Sequence, residues 1–127
     1  MIEKILVVDD SAIARQMLKK AIAGGEKKYE ITEAVNGKDG VEKFQEFKPD
    51  ITFMDLTMPV LDGFVAIEQI KDIDKEHIII VATADIQSES IRRVMSLGAF
   101  SVLKKPSSVD CVQEAISNAE IKFGTTG

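Results

Sequence analysis

The chain has 127 residues, of which 45% are hydrophobic and 29% charged, with a single cysteine. This composition excludes a disordered chain, and the length suits one domain built around one core. The net charge of −5 disfavours nucleic-acid binding, which needs clustered basic residues, and one cysteine excludes an internal disulfide or a cysteine-based zinc cluster.

Five strand-like segments alternate with helical patterns along the chain. The predicted strands are Lys4–Val8, Tyr29–Ala34, Asp50–Met54, His77–Ala82 and Ser101–Leu103. The first, third and fourth are apolar on both faces, which is typical of a parallel sheet covered by helices on both sides. The second is more polar and suits an edge of the sheet.

Apolar residues at spacings of three and four predict a helix after each strand. These stripes lie in Ala14–Ile22, Val41–Phe47, Phe64–Ile70, Ile91–Met95 and Val109–Ala119. We expect Asp10 or Ser11 to cap the first helix and Ser107 or Ser108 to cap the fifth. Cys111 is expected to be a small packing residue on the fifth helix.

The alternating order predicts an α/β fold, with five strand–helix units wound on both faces of one parallel sheet. The domain is expected to cover residues 1–123, followed by a tail over residues 124–127. The start of the chain lacks the basic head and long apolar segment of a signal peptide, and no apolar run approaches the roughly 20 residues that span a bilayer. We therefore expect a cytoplasmic protein without membrane contact.

Polar residues follow four of the five predicted strands. They are Asp9, Asp10, Asp55, Thr83 and Lys105. In doubly wound sheets, ligands bind beyond the carboxyl ends of the strands, at the point where the strand order reverses. Each residue alone has an ordinary explanation, such as a helix cap or a solvated charge, but together at one sheet edge they indicate a site.

Three neighbouring carboxylates repel one another, and a divalent cation would keep all of them ionised. Oxygen ligands without a nearby histidine favour Mg²⁺. The metal and Lys105 would place positive charge around Asp55, and a carboxylate so placed can attack a phosphoryl group. The hydroxyl group of Thr83 could then hydrogen-bond a phosphoryl oxygen.

Four motifs, in this order and spacing, resemble the receiver domain of two-component response regulators, the CheY-like family. They are VVDD at 7–10, MDLTMPVLDG at 54–63, VATA at 81–84 and KKP at 104–106. The resemblance covers nearly the whole chain and implies a flavodoxin-like sheet with strand order 2-1-3-4-5.

The resemblance also implies a metal site. Asp55 would be the phosphoacceptor and one of the ligands of Mg²⁺. Asp10 would bind the metal directly, Asp9 mainly through water, and Thr57 through its backbone carbonyl.

For the phosphoryl group, the resemblance implies that Thr83 and Lys105 contact its oxygens. Gly63 would shape the loop after the acceptor, and Pro106 would follow a cis peptide bond. The donor would be a sensor histidine kinase or a histidine phosphotransfer protein. The output would be a changed binding surface for an unknown downstream protein, on a monomer or a phosphorylation-dependent dimer.

One position departs from the family pattern. Receiver domains usually carry Tyr or Phe three residues before the conserved lysine, where this chain has Val102. Phe100 would share the face of Val102 if the fifth strand extended that far. Asp85 and Thr57 correspond to positions that tune phosphoryl lifetime in the family.

Two other functions are compatible with these residues. A phosphatase of the haloacid-dehalogenase type also uses an Asp after a strand, but it usually has a second Asp two residues later, where this chain has Thr57. A phosphorylation-independent receiver scaffold would need none of the acids. We therefore expect a phosphoacceptor that signals by binding and is not a turnover enzyme.

Overall fold

The computed structural model describes residues 1–126, and strands and helices alternate throughout this range. The strands are β1 (Lys4–Val8), β2 (Glu30–Ala34), β3 (Ile51–Met54), β4 (Ile78–Thr83) and β5 (Ser101–Lys104). The helices are α1 (Ala12–Ala23), α2 (Gly37–Phe47), α3 (Gly63–Ile73), α4 (Ser88–Ser96) and α5 (Val109–Thr126). Among the described residues, no helix has both the length and the apolar character needed to cross a membrane.

The strands form one parallel sheet in the order β2-β1-β3-β4-β5. Val8 at the end of β1 is level with Ala34 on one side and Met54 on the other. The carboxyl ends of these strands therefore lie at one edge of the sheet. Strand order reverses between β1 and β3, which confirms the predicted doubly wound fold and its order.

Alternating side chains of the central strands pack into two separate cores. Leu6 and Val8 of β1 pack on one face, in a cluster that includes residues of α2, α3 and α4. Ile5 and Val7 pack on the other face, with residues of α1 and α5. Both faces of β1 are thus buried, which explains why its sequence is continuously apolar rather than alternating.

Serine side chains cap the amino ends of two helices. Ser11 Oγ accepts the N–H of Ala14 at 3.2 Å and caps α1. Ser108 Oγ accepts the N–H of Cys111 at 3.1 Å at the start of α5. The structure thus selects one residue from each predicted pair, because a serine at this position can satisfy a free N–H of the first turn.

Two features of α5 differ from expectation. Cys111 is exposed rather than packed, because it lies in the first turn on the face turned away from the sheet. The sequence predicts a tail from residue 124, whereas the helix continues to Thr126, and residue 127 lies outside the described range. An exposed glycine such as Gly124 costs a helix only about 1 kcal/mol relative to alanine, so it does not force an end.

Candidate functional site

Three carboxylates converge where the strand order reverses. Asp9 and Asp10 follow β1, Asp55 follows β3, and the Asp55 N–H donates to the carbonyl of Val8 at 3.0 Å. Each acid offers one carboxylate oxygen, and these three oxygens all lie within 4.8 Å of one another. Asp9 and Asp55 are buried, whereas Asp10 is exposed. The register of β1 and β3 therefore assembles the acidic cluster that the sequence predicts.

Lys105 is the basic residue of this cluster. Its ammonium group contacts the Asp9 carboxylate directly and lies 3.4 Å from Asp55 Oδ1. Its backbone N–H donates to the carbonyl of Thr83 at 2.9 Å, which ties the loop after β5 to the end of β4. Three carboxylates and one ammonium leave a formal charge of −2, which a divalent cation would neutralise.

The buried position of Asp55 perturbs its ionisation. Burial raises the pKa of this carboxyl above its ordinary value, and the negative charge of Asp9 raises it further. Lys105 opposes both effects by charge and hydrogen bonding. Any additional positive charge placed beside Asp55 would therefore stabilise its ionised form.

The donor set fits magnesium. All three clustered side chains offer oxygen, and the single histidine of the chain, His77, is buried at the opposite end of the sheet. Hard oxygen ligands suit Mg²⁺, which commonly keeps several waters. Thr57 lies in the exposed loop two residues after Asp55, so its backbone carbonyl is a candidate for a further ligand.

Thr83 ends β4 and is buried at the same sheet edge. Its hydroxyl oxygen accepts the N–H of Asp85 at 3.1 Å. The carboxylate of Asp85 in turn accepts the N–H of Gln87 at 3.2 Å and the hydroxyl of Ser90 at 2.7 Å. A continuous chain of hydrogen bonds thus links Thr83 to the start of α4.

The comparison with protein families agrees with this geometry. Residues 5–117 match the family model described as the response regulator receiver domain. The chain belongs to the response regulator receiver domain family. Two chemotaxis proteins named CheY are among the relatives of this receiver domain. That of Thermotoga maritima is 41% identical over 91% of this chain and 95% of its own length, and that of Bacillus subtilis is 39% identical over 92% and 97%.

Solved structures agree with the fold of the receiver. A response regulator receiver domain protein from Clostridium thermocellum superposes with a TM-score of 0.90. It is 27% identical, and the match covers 99% of this chain and 100% of that one.

Apart from Thr57, for which no contact is described, the predicted site residues of the receiver lie at one edge of the sheet. The structure brings Asp9, Asp10, Asp55 and Lys105 into one cluster, with Thr83 buried beside them. Their chemical roles stay predictions. The peptide bond between Lys105 and Pro106 is cis, as the resemblance implies.

The position of the usual receiver aromatic is half-buried. Val102 packs against the core cluster shared with α2, α3 and α4, whereas Phe100 packs against the opposite cluster. Phe100 is expected to share the face of Val102 only if the fifth strand reaches residue 100. That condition is not met, because β5 begins at Ser101 and strand alternation does not extend back to Phe100.

Sequence reasoning missed two features of the receiver site. Arg15 of α1 reaches back to the backbone of Asp9, and Val60, in the loop after Asp55, has a positive φ of 72°. Arginine on a helix is usually solvated, so no local signal marks Arg15. A β-branched residue rarely adopts positive φ, so the backbone at Val60 is strained, and the sequence does not predict this conformation.

Proposed function

We propose that this receiver domain accepts a phosphoryl group on Asp55 and signals through a phosphorylation-dependent change of its binding surface. The observation that carries the proposal is the convergence of Asp9, Asp10 and Asp55, which keep a formal charge of −2 although Lys105 pairs with Asp9 and Asp55. A purely structural cluster would be expected to neutralise both buried acids, Asp9 and Asp55, since buried unpaired charge is costly, whereas here one ammonium group serves the two.

The side chains divide the chemistry. An Asp55 oxygen forms a bond to phosphorus while the bond from phosphorus to a donor imidazole nitrogen breaks, and the electron pair returns to that nitrogen. Lys105 holds positive charge beside Asp55 and can pair with the phosphoryl oxygens, and the Thr83 hydroxyl can donate to one of them. Bound Mg²⁺, held by Asp9, Asp10, Asp55 and the Thr57 carbonyl, would supply charge neutralisation for the incoming phosphoryl oxygens.

The donor that we propose is a sensor histidine kinase or a histidine phosphotransfer protein. A groove of about 340 Å³ opens beside the acids between α1 and the Pro106 loop. Its apolar wall includes Met17 and the exposed Ile13, so it offers a donor protein an apolar docking surface beside Asp9 and Lys105. Two relatives are chemotaxis proteins, so chemotaxis-type signalling in the cytoplasm is the first pathway to test.

The output that we propose is binding to a downstream protein rather than catalytic turnover. Thr57 stands where a haloacid-dehalogenase-type phosphatase would carry its second acid, so the chain lacks that general acid. The net charge of −5 disfavours nucleic acid as the target. Phosphorylation would shift an equilibrium between two surface shapes, in a monomer or through a dimer that forms on phosphorylation.

Intact-mass spectrometry after incubation with Mg²⁺ and a small acyl phosphate tests the proposal. We expect one phosphoryl group on the wild type and none on Asp55→Asn, because an amide is a poor nucleophile. Asp62→Asn is the matched control, since Asp62 caps α3 by accepting the N–H of Val65 and asparagine caps equally well. Equal phosphate on Asp55→Asn and the wild type would remove the basis of the assignment.

A further inference from the structure

Arg15 contacts the metal-binding segment from the second turn of α1. Its Nη1 donates to the backbone carbonyl of Asp9 at 2.8 Å, and its Nε donates to Glu33 Oε1 at 2.9 Å. The side chain is only 14% exposed. The guanidinium group therefore bridges the end of β1 to a residue of the neighbouring strand β2.

The carbonyl that Arg15 holds belongs to the peptide joining the two acids. It lies outside the hydrogen-bond ladder of α1, which starts with the Ser11 carbonyl accepting the N–H of Arg15. Asp9 is otherwise held through its N–H, which donates to Ala34, and through its carboxylate, which accepts the N–H of Ser11 and contacts the ammonium group of Lys105. The contact with Arg15 fixes the remaining freedom of this residue, the orientation of the Asp9–Asp10 peptide plane.

Asp10 depends on that peptide plane for its direction. Its side chain is exposed, and among residues 1–126 no hydrogen-bond donor to its carboxylate is found. The backbone at Asp10 therefore sets the direction of its Cα–Cβ bond, and with it the positions that the carboxylate can reach beside Asp9 and Asp55. A planar guanidinium anchored at two points restricts that backbone more strongly than a single contact can.

We propose that Arg15 is a positioning residue for the metal site, orienting the Asp9–Asp10 peptide so that both acids and Asp55 converge on one cation. The inference rests on the proposed function, because it concerns the same magnesium site. Arg15 acts through the backbone and not through its charge, which the ion pair with Glu33 offsets.

Charge and positioning predict opposite results for Arg15→Met. Removing a positive charge near a cation site strengthens cation binding if charge alone matters. Loss of a positioning contact weakens it instead, and removal of groups that orient metal ligands costs about tenfold in affinity at the lower end. The sign of the change in Mg²⁺ affinity therefore separates the two explanations.

Lys19→Met is the matched control. Lys19 lies one turn farther along α1, and its ammonium binds the other oxygen of Glu33 at 3.1 Å. The pKa of Glu33 is lowered mainly by Lys19 and then by Arg15, so the control disturbs Glu33 at least as strongly. No hydrogen bond joins Lys19 to Asp9 in the described structure, and we expect unchanged magnesium affinity.

The experiment titrates each full-length protein with Mg²⁺ alone, by calorimetry and by NMR shifts. We expect about tenfold weaker binding for Arg15→Met and wild-type affinity for Lys19→Met. In phosphorylation by a small acyl phosphate, the magnesium requirement of Arg15→Met should rise by the same factor, while its rate at saturating magnesium returns to that of the wild type. Thermal unfolding without magnesium is measured in parallel, because saturating magnesium would also rescue a merely destabilised protein.

Unchanged or tighter magnesium binding by Arg15→Met overturns the proposal. If thermal unfolding shows that this variant does not fold, Arg15→Lys tests the proposal instead. Lysine keeps the positive charge but lacks the planar guanidinium group that donates to two partners at once. Weaker binding by Arg15→Lys supports positioning, and unchanged binding overturns it. Failure of the wild type itself to bind magnesium would overturn the proposed function, an outcome distinct from a failure confined to the role of Arg15.

Discussion

The polar groups at the two ends of the sheet are paired to different extents. At the amino end, Asp50 Oδ2 accepts the N–H groups of Glu3 and Lys4 at 2.8 and 2.9 Å, and Thr52 Oγ1 bonds His77 Nε2 at 2.8 Å. At the carboxyl end, three acids cluster, and Lys105 pairs with only two of them, Asp9 and Asp55. These polar groups of the amino end are satisfied internally and stabilise the fold, whereas the carboxyl end keeps surplus charge that a ligand can compensate.

Gly63→Ala is expected to have the largest effect, because it breaks the carboxyl end sterically. A Cβ atom at Gly63 would lie 2.1 Å from the carbonyl oxygen of Asp55, and backbone at that distance must move. We expect a loss of about 3 kcal/mol in the free energy of unfolding, as severe overpacking produces, together with loss of phosphate uptake. Urea denaturation and intact-mass spectrometry measure the two effects.

Gly124→Ala is the control for this change. An added Cβ there meets nothing within 4 Å, and the position is helical and exposed. We expect a gain of up to about 1 kcal/mol, from helix propensity alone. Wild-type unfolding of Gly63→Ala would contradict the steric argument.

The second prediction concerns pH and the amino end. Burial lowers the pKa of His77 from 6.5 to about 4, with Asp74 opposing the shift and Lys71 adding to it. Below pH 6.5, His77 in the unfolded chain therefore binds a proton that His77 in the folded protein does not bind until the pH approaches 4. The free energy of unfolding is therefore not reduced by His77 above pH 6.5. It falls as the pH decreases from 6.5 towards 4, by about 3 kcal/mol in all.

Urea denaturation of the wild type and His77→Gln between pH 7 and pH 4 measures this loss. Carboxyl groups titrate in both proteins, so the difference between the two curves isolates His77. We expect the wild type to lose more stability on acidification than the variant. Parallel curves would show that protonation of His77 does not oppose folding.

The sequence predicts the elements whose signals are local. Continuous apolar residues in β1, β3 and β4 specify a doubly covered parallel sheet, and its topology then brings Asp9 and Asp55 together. The contact of Arg15 with Asp9 depends instead on how α1 packs, because it joins a helix side chain to a backbone carbonyl six residues earlier. A helical pattern shows which face is apolar. It does not show which charged residue beside that face contacts the backbone of the site.

Phe100 and Cys111 illustrate the same limit. The alternation argument for Phe100 required the strand to reach residue 100, and it does not apply because the strand begins one residue later. Cys111 fits a helical pattern, yet the first turn of α5 leaves its side chain exposed. Element types follow from local patterns, whereas strand limits and the facing of terminal residues depend on tertiary packing.

The third prediction tests how the carboxyl end communicates with α4 when Val102 replaces the usual aromatic. Asp85→Ala removes the acceptor of Gln87 and Ser90 while leaving the site acids in place. We expect a loss of about 1 kcal/mol or more in stability, since hydrogen bonds to a charged group are lost. We also expect beryllofluoride, a phosphate mimic, to shift NMR signals of α4 in the wild type but only pocket signals in the variant.

Asp85→Asn is the control for that experiment, because its amide oxygen keeps one acceptor, and we expect it to retain part of the response in α4. Persistent α4 shifts in Asp85→Ala would show that the signal takes another route. Pocket-only shifts in the wild type would instead favour a receiver scaffold that does not switch.

The smallest expected effect is a gain in stability at Val60, which is 75% exposed in the loop beside the acids. Its φ of 72° is costly for a β-branched residue, and the Leu61 N–H donates to the Pro59 carbonyl at 2.8 Å across a three-residue turn centred on it. Val60→Gly removes this strain but makes the unfolded chain more flexible, so we expect a net gain of at most about 1 kcal/mol by urea denaturation. Val35→Gly, at an exposed valine without positive φ, is expected to lose stability by a similar amount. Equal losses in both variants would show that the Val60 turn is unstrained, and the carboxyl end would then differ from the amino end in charge alone.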